Sequence, residues 1–520
     1  MGFFLSPGVF TREIDLSDIV PNVATSIGAL VGAPTRGDIA DPVLITNQEQ
    51  FFQEYGDTIL GNDFYYSALG FLTQGRQLFC MRAINGALFG GVEIKENGSS
   101  QANAGFSVGE VDPTAHVFGL DGLFTIYPKD PGVWNNTVKV KVLNIDVVNH
   151  LFDIEVWFPN ADGVDQRVEV FTGCSRQTKL DGFGIQRYVE IRVNEFSQFI
   201  RVKDNTLVVA TTDPKEQLAL LASAGGTDGA AITDGLINTA WDKFSNPDEI
   251  TVSLLINGGF TTPSVQNKMI SIAEARKDCV AILDMPLADN TATLMQTYRN
   301  TTLNANSTYA ALYTHWLKIF DEVNDQIVTV PPSGFVAAQY AFTDFVRDPW
   351  WAPAGFNRGR LIVSGVSVIF TQGERELLSP DQINVIQSFK GEGIVIWDER
   401  TLQTKSSALS SIPIRRLLIT LEKSVSTSLR FFVFEPNDDA TRLRITSMIE
   451  EFLELVQNRR GIESFLVVCD ETNNTPAVRE RGELLIDVYI KPVFAARFIQ
   501  LSMIITRLGA SFEETIALGA

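Results

Sequence analysis

From Pro413 onward, the apolar positions fall first at helical and then at strand spacing. Ile414, Leu417, Leu418, Leu421, Val425 and Phe432 predict one helix, with Pro413 tolerated in its first turn. Phe434-Glu-Pro-Asn437 interrupts it. Asn437 is the expected cap of a second helix, and Asp438 and Asp439 put negative charge at that helix's positive end. Ile445, Met448, Ile449, Phe452 and Val456 line one of its faces, and Arg459 and Arg460 close it before Gly461. Phe465–Cys469, Leu484–Ile490 and Phe498–Ile505 read as strands. In the last two the alternation is regular: Leu484, Ile486, Val488 and Ile490 share a face, as do Ile499, Leu501, Met503 and Ile505. The pattern predicts a small α+β unit ending on a strand, with a short polar tail beyond.

The rest of the chain divides by the same criterion. Residues 1–24 read as an extended arm: Pro7-Gly8 breaks any helix, and Phe10, Ile14 and Leu16 hold strand parity. Alone the arm has little to bury, so it needs a partner. Ile27–Gly32 and Gln77–Arg82 are expected strands flanking a helix over Phe64–Leu72. Short alternating runs then dominate, at Val138–Val142, Ile154–Trp157, Val168–Phe171, Tyr188–Val193 and Phe199–Val202. They predict a β-rich insertion, a sandwich or a barrel-like domain. Ile250–Ile256, a helix over Ser264–Arg276 and Cys279–Leu283 form an expected βαβ unit with parallel strands. The division is an N-terminal arm at 1–24, an α/β middle domain from 25–87 plus 211–345, a β-rich inserted outer domain at 88–210, an α+β domain at 346–507 and a C-terminal arm at 508–520.

Composition narrows the function. The 520 residues carry a formal charge of −20, which argues against a general nucleic-acid binder. No apolar run approaches the roughly 20 residues that span a bilayer. The first residues predict no secretory signal, and the widely spaced Cys80, Cys174, Cys279 and Cys469 read as reduced thiols. Gly258-Gly259 between a strand and a helix lacks the spacing of a phosphate cradle and reads as a tight turn. His116, His150 and His315 have no metal-ligand spacing. Glu450, Glu451 and Glu454 are better explained as a solvated helix face than as catalytic carboxylates, and Ser364 lacks the frame of a nucleophile elbow. Trp350-Trp351 reads as an anchor between domains before it reads as a ligand platform. The expectation is no enzyme, no metal and no cofactor.

Motifs in order along nearly the whole chain carry a resemblance. They are Ser6-Pro7-Gly8-Val9-Phe10 with Glu13, Gly132-Val-Trp-Asn135, Ala224–Gly229, Pro331–Gly334, Pro353-Ala-Gly355, Asn384, Gly393–Trp397 with Arg400-Thr-Leu402, Arg415-Arg416, Phe434–Asn437, Asn473–Thr475, Gly482–Leu484 and Lys491-Pro-Val493. Together they are similar to the contractile tail sheath family of myophages and related injection machines. Trp397-Asp-Glu-Arg400 departs from it, because many relatives have a Gly after the Trp. The resemblance implies a virion subunit, made in the bacterial cytoplasm, that polymerises with itself around a tail tube protein. It would also meet baseplate and tail terminator proteins, without direct nucleic acid contact or membrane insertion, and would contract to eject the genome through the host envelope. Residues 346–507 would be the inner sheath domain.

Within that arrangement the two chain ends are the expected joints, each completing a neighbour's sheet by β-augmentation. The N-terminal set is Val9, Phe10, Arg12, Ile14 and Leu16; the C-terminal set is Ile499, Leu501, Met503, Ile505 and Phe512. Hinges are expected near Pro21 and Gly509. Arg459 and Arg460 are candidate contacts to an acidic tube, although complementing the helix dipole explains them equally. The sheath of a non-phage extracellular injection system is the alternative within the family. An adhesin-like protein with a glycan-binding insertion is the alternative of another class.

Overall fold

A computed structural model describes residues 24–160 and 163–500. The N-terminal joint residues, both expected hinges, and Leu501, Met503, Ile505 and Phe512 lie outside the described residues. A nine-stranded sheet forms the body. Its order is Arg360–Leu361, Gly393–Ile396, Ile383–Phe389, Ala310–Thr314, Val280–Asp284, Leu254–Ile256, Ile27–Gly32, Gln77–Arg82 and Val43–Ile45. From Ile383–Phe389 through to Gln77–Arg82 the neighbours run parallel, and antiparallel strands close both margins.

A sheet of this kind must be covered on both faces, which is why Ile27–Gly32 is apolar and buried throughout. Ala29, Val31, Leu255, Ala281 and Leu283 belong to the core beneath the Pro263–Arg276 helix. Leu30, Leu78, Leu254 and Ile282 belong to the opposite core, under the Asp63–Leu72 and Ser333–Val346 helices. Those two helices pack closely because position 334 is glycine: a Cβ there would lie 2.2 Å from the Ser67 carbonyl oxygen.

The expected βαβ unit is present, with its strands paired in parallel from Leu254↔Val280 to Ile256↔Ile282. Its first strand starts at Leu254, later than the expected Ile250, because the Ile250 carbonyl accepts from the Arg276 guanidinium at 3.0 Å and not from a neighbouring strand. The sheet also runs past the expected boundary at 346. Ile383 pairs with Leu312 and Val395 with Gln387, so the apolar run at Gly393–Ile396 is spent on the body.

The insertion is two four-stranded sheets around one core, a sandwich. One sheet holds Val92–Lys95, Ala104–Gly105, Gly122–Pro128 and Ile200–Asp204; the other holds Lys139–Asp146, Leu151–Pro159, Asp165–Cys174 and Leu221–Ala222. Tyr188–Val193, expected as a strand, instead enters a helix over Val189–Phe196. Val189 and Val193 satisfy both a period of two and an i, i+4 pair, and as a helix both are fully buried. Asn194 fixes that choice by bonding the Val202 N–H and carbonyl at 2.7 and 3.0 Å. The insertion leaves and rejoins the body through facing bridges, Leu88 to Thr227 and Gly91 to Ala224.

The C-terminal unit follows as a helix over Ile412–Leu429, a second over Asp439–Asn458, and a two-stranded antiparallel sheet of Ile462–Val468 and Asp487–Pro492. Phe498–Gln500, the described start of the expected last strand, lies in no strand.

Candidate functional site

The two-stranded sheet is the candidate site because of what it lacks. Val467 pairs with Val488 and Phe465 with Ile490. Among the described residues neither strand has a second partner, so both outer edges present unpaired backbone groups. Such a sheet is marginal by itself and needs support. One face gets it from the helices: Ile462 and Val467 join Leu417, Leu421, Ile445, Ile449 and Val456 in a common core, with Phe465, Leu484, Ile486 and Ile490 packed at its margin. Leu466 and Tyr489 remain exposed, as do Val493, Phe494, Phe498 and Ile499 where the chain runs on.

Side-chain amides hold the sheet's turn. Asn474, fully buried, accepts from the Leu485 N–H at 2.8 Å and donates to its carbonyl at 2.9 Å. Those bonds shorten the expected Leu484–Ile490 strand, which starts only at Asp487, since Leu485 has no backbone group left for a ladder. Asn473 donates to the Val468 carbonyl at 2.8 Å and fastens the other strand.

Asn437 is not the helix cap. Asp438 is, accepting from the Thr441 N–H at 2.8 Å. The Asn437 side chain is engaged elsewhere: its oxygen accepts from buried Arg442 at 2.8 Å, and its amide donates to the Glu483 carbonyl at 2.8 Å. It therefore ties the turn between the helices to the turn that enters the second strand. At the far end, Arg460 takes the left-handed conformation expected of Gly461. Gly461 is needed for closeness instead, since a Cβ would lie 2.6 Å from Val456 and 3.1 Å from Trp350.

The unit is bolted to the body at its first helix. Arg416 donates to both Asp344 oxygens at 2.8 and 2.6 Å, and to the Thr25 carbonyl at 3.2 Å. Thr25 Oγ1 donates to the same carboxylate at 2.7 Å. Burial pushes the Asp344 carboxyl up, and Arg416 works against that shift. Arg415 lies over the Tyr309 ring, 4.2 Å from its centre. This cluster fixes the chain where it emerges at Ala24 and Thr25, beside a groove of about 1010 Å³ whose lining includes Phe345, Trp350, Phe452 and Leu455.

Of the candidate tube contacts, half-exposed Arg459 is paired with Asp348 at 3.0 Å, and its carbonyl accepts from Trp350 Nε1 at 3.2 Å. Arg460 is exposed. Trp350 thus sits at the junction between body and C-terminal unit. Ile499 is exposed, close to the sheet's open end in sequence but not in either strand.

Other weighed residues are internally engaged. The Gly259 N–H donates to buried Asp284 at 3.0 Å, and Ser333 donates to Asp284 from its N–H and its hydroxyl at 2.7 Å each. His116 lies between Glu110 at 2.5 Å and Glu93 at 3.4 Å, and His150 meets Asp213. All four cysteines are buried. No group of His, Cys, Asp or Glu among the described residues could hold a metal ion, and no helix among them is long and apolar enough to cross a membrane. The Asp63 and Asp284 carboxyls and the contact of Glu399 with Arg497 were not foreseen, because nothing in local sequence brings residues so far apart together.

The profile described as phage tail sheath protein central domain matches residues 228–402, and the one described as phage tail sheath C-terminal domain matches 404–506. Together they cover more than half of the chain. The tail sheath protein of Vibrio phage KVP40 is 32% identical over 318 residues, covering 56% of this chain and 47% of that protein. That of Enterobacteria phage T4 is 31% identical over 320 residues, covering 58% and 49%. The chain therefore spans about half the length of the curated relatives it matches. In fold it is similar to a sheath tail protein of Listeria innocua, with a TM-score of 0.55 at 13% identity over 90% of this chain and 95% of that one. It is equally similar to the helical sheath of the anti-feeding prophage in its contracted state, with a TM-score of 0.55 at 16% identity over 96% and 99%.

Proposed function

Because this chain belongs to the phage tail sheath family, we propose that it is the structural subunit of a contractile phage tail sheath. In this reading it polymerises with itself as a helical array around the tail tube, associates with baseplate and tail terminator proteins, and shortens to drive the tube through the host envelope. It is a virion component assembled in the bacterial cytoplasm, and its work is mechanical, not enzymatic.

The observation that carries this reading is the two-stranded sheet with both edges open. Strands added at those edges, one from the N-terminal arm and one from the C-terminal arm of neighbouring subunits, would satisfy its backbone groups and cover Leu466 and Tyr489. Main-chain joints of this kind keep subunits connected while their bodies tilt. Val9, Phe10, Arg12, Ile14 and Leu16 would form the first added strand, and Ile499, Leu501, Met503 and Ile505 the second, with Phe512 in the arm beyond. With Arg459 held by Asp348, Arg460 becomes the stronger candidate for touching the tube.

Deleting residues 1–18 is expected to leave a folded monomer, by circular dichroism, that forms no striated tubes in negative-stain micrographs. Long tubes from the truncated chain would refute the N-terminal joint.

A further inference from the structure

After Pro492 the chain leaves the two-stranded sheet and crosses to the body. There Arg497 Nε donates to Glu399 Oε1 at 3.0 Å, and Arg497 Nη2 donates to the Glu399 carbonyl at 3.3 Å. Glu399 is 4% exposed. It sits at the seam between sheet and helices: Ser411 Oγ donates to the same carboxylate oxygen at 3.2 Å, and the Ile412 N–H donates to its carbonyl at 3.1 Å. Around this contact the run is bare. Phe494, Phe498 and Ile499 are 62%, 85% and 88% exposed. Apolar packing of these side chains therefore does not hold the run against the body; beyond the Val493 N–H bond to the Gly461 carbonyl at 3.2 Å, the ion pair of Arg497, with its side chain 25% exposed, to buried Glu399 does.

We propose that Arg497 and Glu399 form a clamp that fixes where the C-terminal strand leaves its own subunit, at residue 498 and not at Pro492. This rests on the reading of that strand as a joint to a neighbour. Reach is what the clamp controls. Val493 to Arg497 are withheld from the linker, and at roughly 3.4 Å per extended residue their release would lengthen it by about 17 Å. The clamp thereby sets the length of linker with which the C-terminal strand reaches a neighbouring subunit. Opening it would strand the Glu399 carboxylate in a buried site without its cation, which keeps it closed while the subunit moves.

Chymotrypsin cleavage after Phe494 in the unassembled full-length chain tests the clamp. Arg497→Gln and Glu399→Gln are each expected to speed it about tenfold, the double variant no further, and Arg497→Lys less, with melting curves confirming the fold. Equal rates in the wild type and both glutamine variants would overturn the clamp; should one variant misfold, the other decides alone. Truncation after Arg497 separates this from the joint reading. Tubes that assemble as before without residues 498–520 would refute strand donation, whereas the cleavage rates judge the clamp alone.

Discussion

Two buried carboxylates behave differently because only one has a cation. Asp344 is saturated by Arg416 and Thr25, and both side chains of the ion pair are at most 6% exposed. Removing one partner of such a pair leaves an uncompensated charge, so Arg416→Ala is expected to cost about 3–5 kcal/mol in denaturant unfolding. Asp284 has only neutral donors, and burial raises its carboxyl to about 6; burial and the Asp284 charge together raise Asp63 to about 7. Both stand above the unfolded value of about 4. Their contribution is therefore complete below about pH 4 and is lost as the pH climbs through about 6 to 7. Asp63→Asn should flatten stability over that window and raise the melting temperature at pH 8 by roughly 2–4 °C. An unchanged pH profile would show that burial does not raise the Asp63 carboxyl in the folded chain. Neither pairing was legible in the sequence: Arg415-Arg416 stood out as a motif, but its acid lies 72 residues upstream.

Among the elements, the two C-terminal helices were legible and the strand ends were not. Ile445, Met448, Ile449 and Val456 repeat at a helical period, and the Asp439–Asn458 helix buries them as expected. The Val189–Phe196 helix was misread because a short run of alternating residues fits either period, and the deciding bonds come from Asn194 to a strand eight residues on. Side-chain amides set other ends too, Asn437 displacing the cap and Asn474 the start of a strand. Asn474→Ala removes both bonds to Leu485, leaving its N–H without an acceptor while its carbonyl keeps only the Asn473 amide at 3.2 Å. The expected loss is about 1–3 kcal/mol, with hydrogen exchange rising over 462–492 while the nine-stranded sheet stays protected. Uniform loss of protection would mean that the sheet's turn is coupled to the whole body.

At the scale of the molecule, the order of motifs along the chain pointed to the family, whereas the run of the nine-stranded sheet past residue 346 was hidden for a topological reason. Ile383–Phe389 and Gly393–Ile396 look like any apolar strands, and only pairing reveals that they extend a sheet begun at Ile27. The insertion obeys the opposite logic: where it meets the body, its two ends face each other at Leu88 with Thr227 and Gly91 with Ala224. It is consequently attached as a cassette, with the body's Arg82 bonding the Pro131 carbonyl at 2.8 Å and Glu54 pairing with Lys129 at 3.2 Å as added contacts. Replacing residues 92–223 with a two-glycine bridge is expected to leave the body's cooperative melting transition intact, and loss of that transition would show that the sandwich is a folding scaffold. A cassette of this kind can be exchanged by recombination, or loaded with a foreign epitope, without rewriting the nine-stranded sheet it departs from.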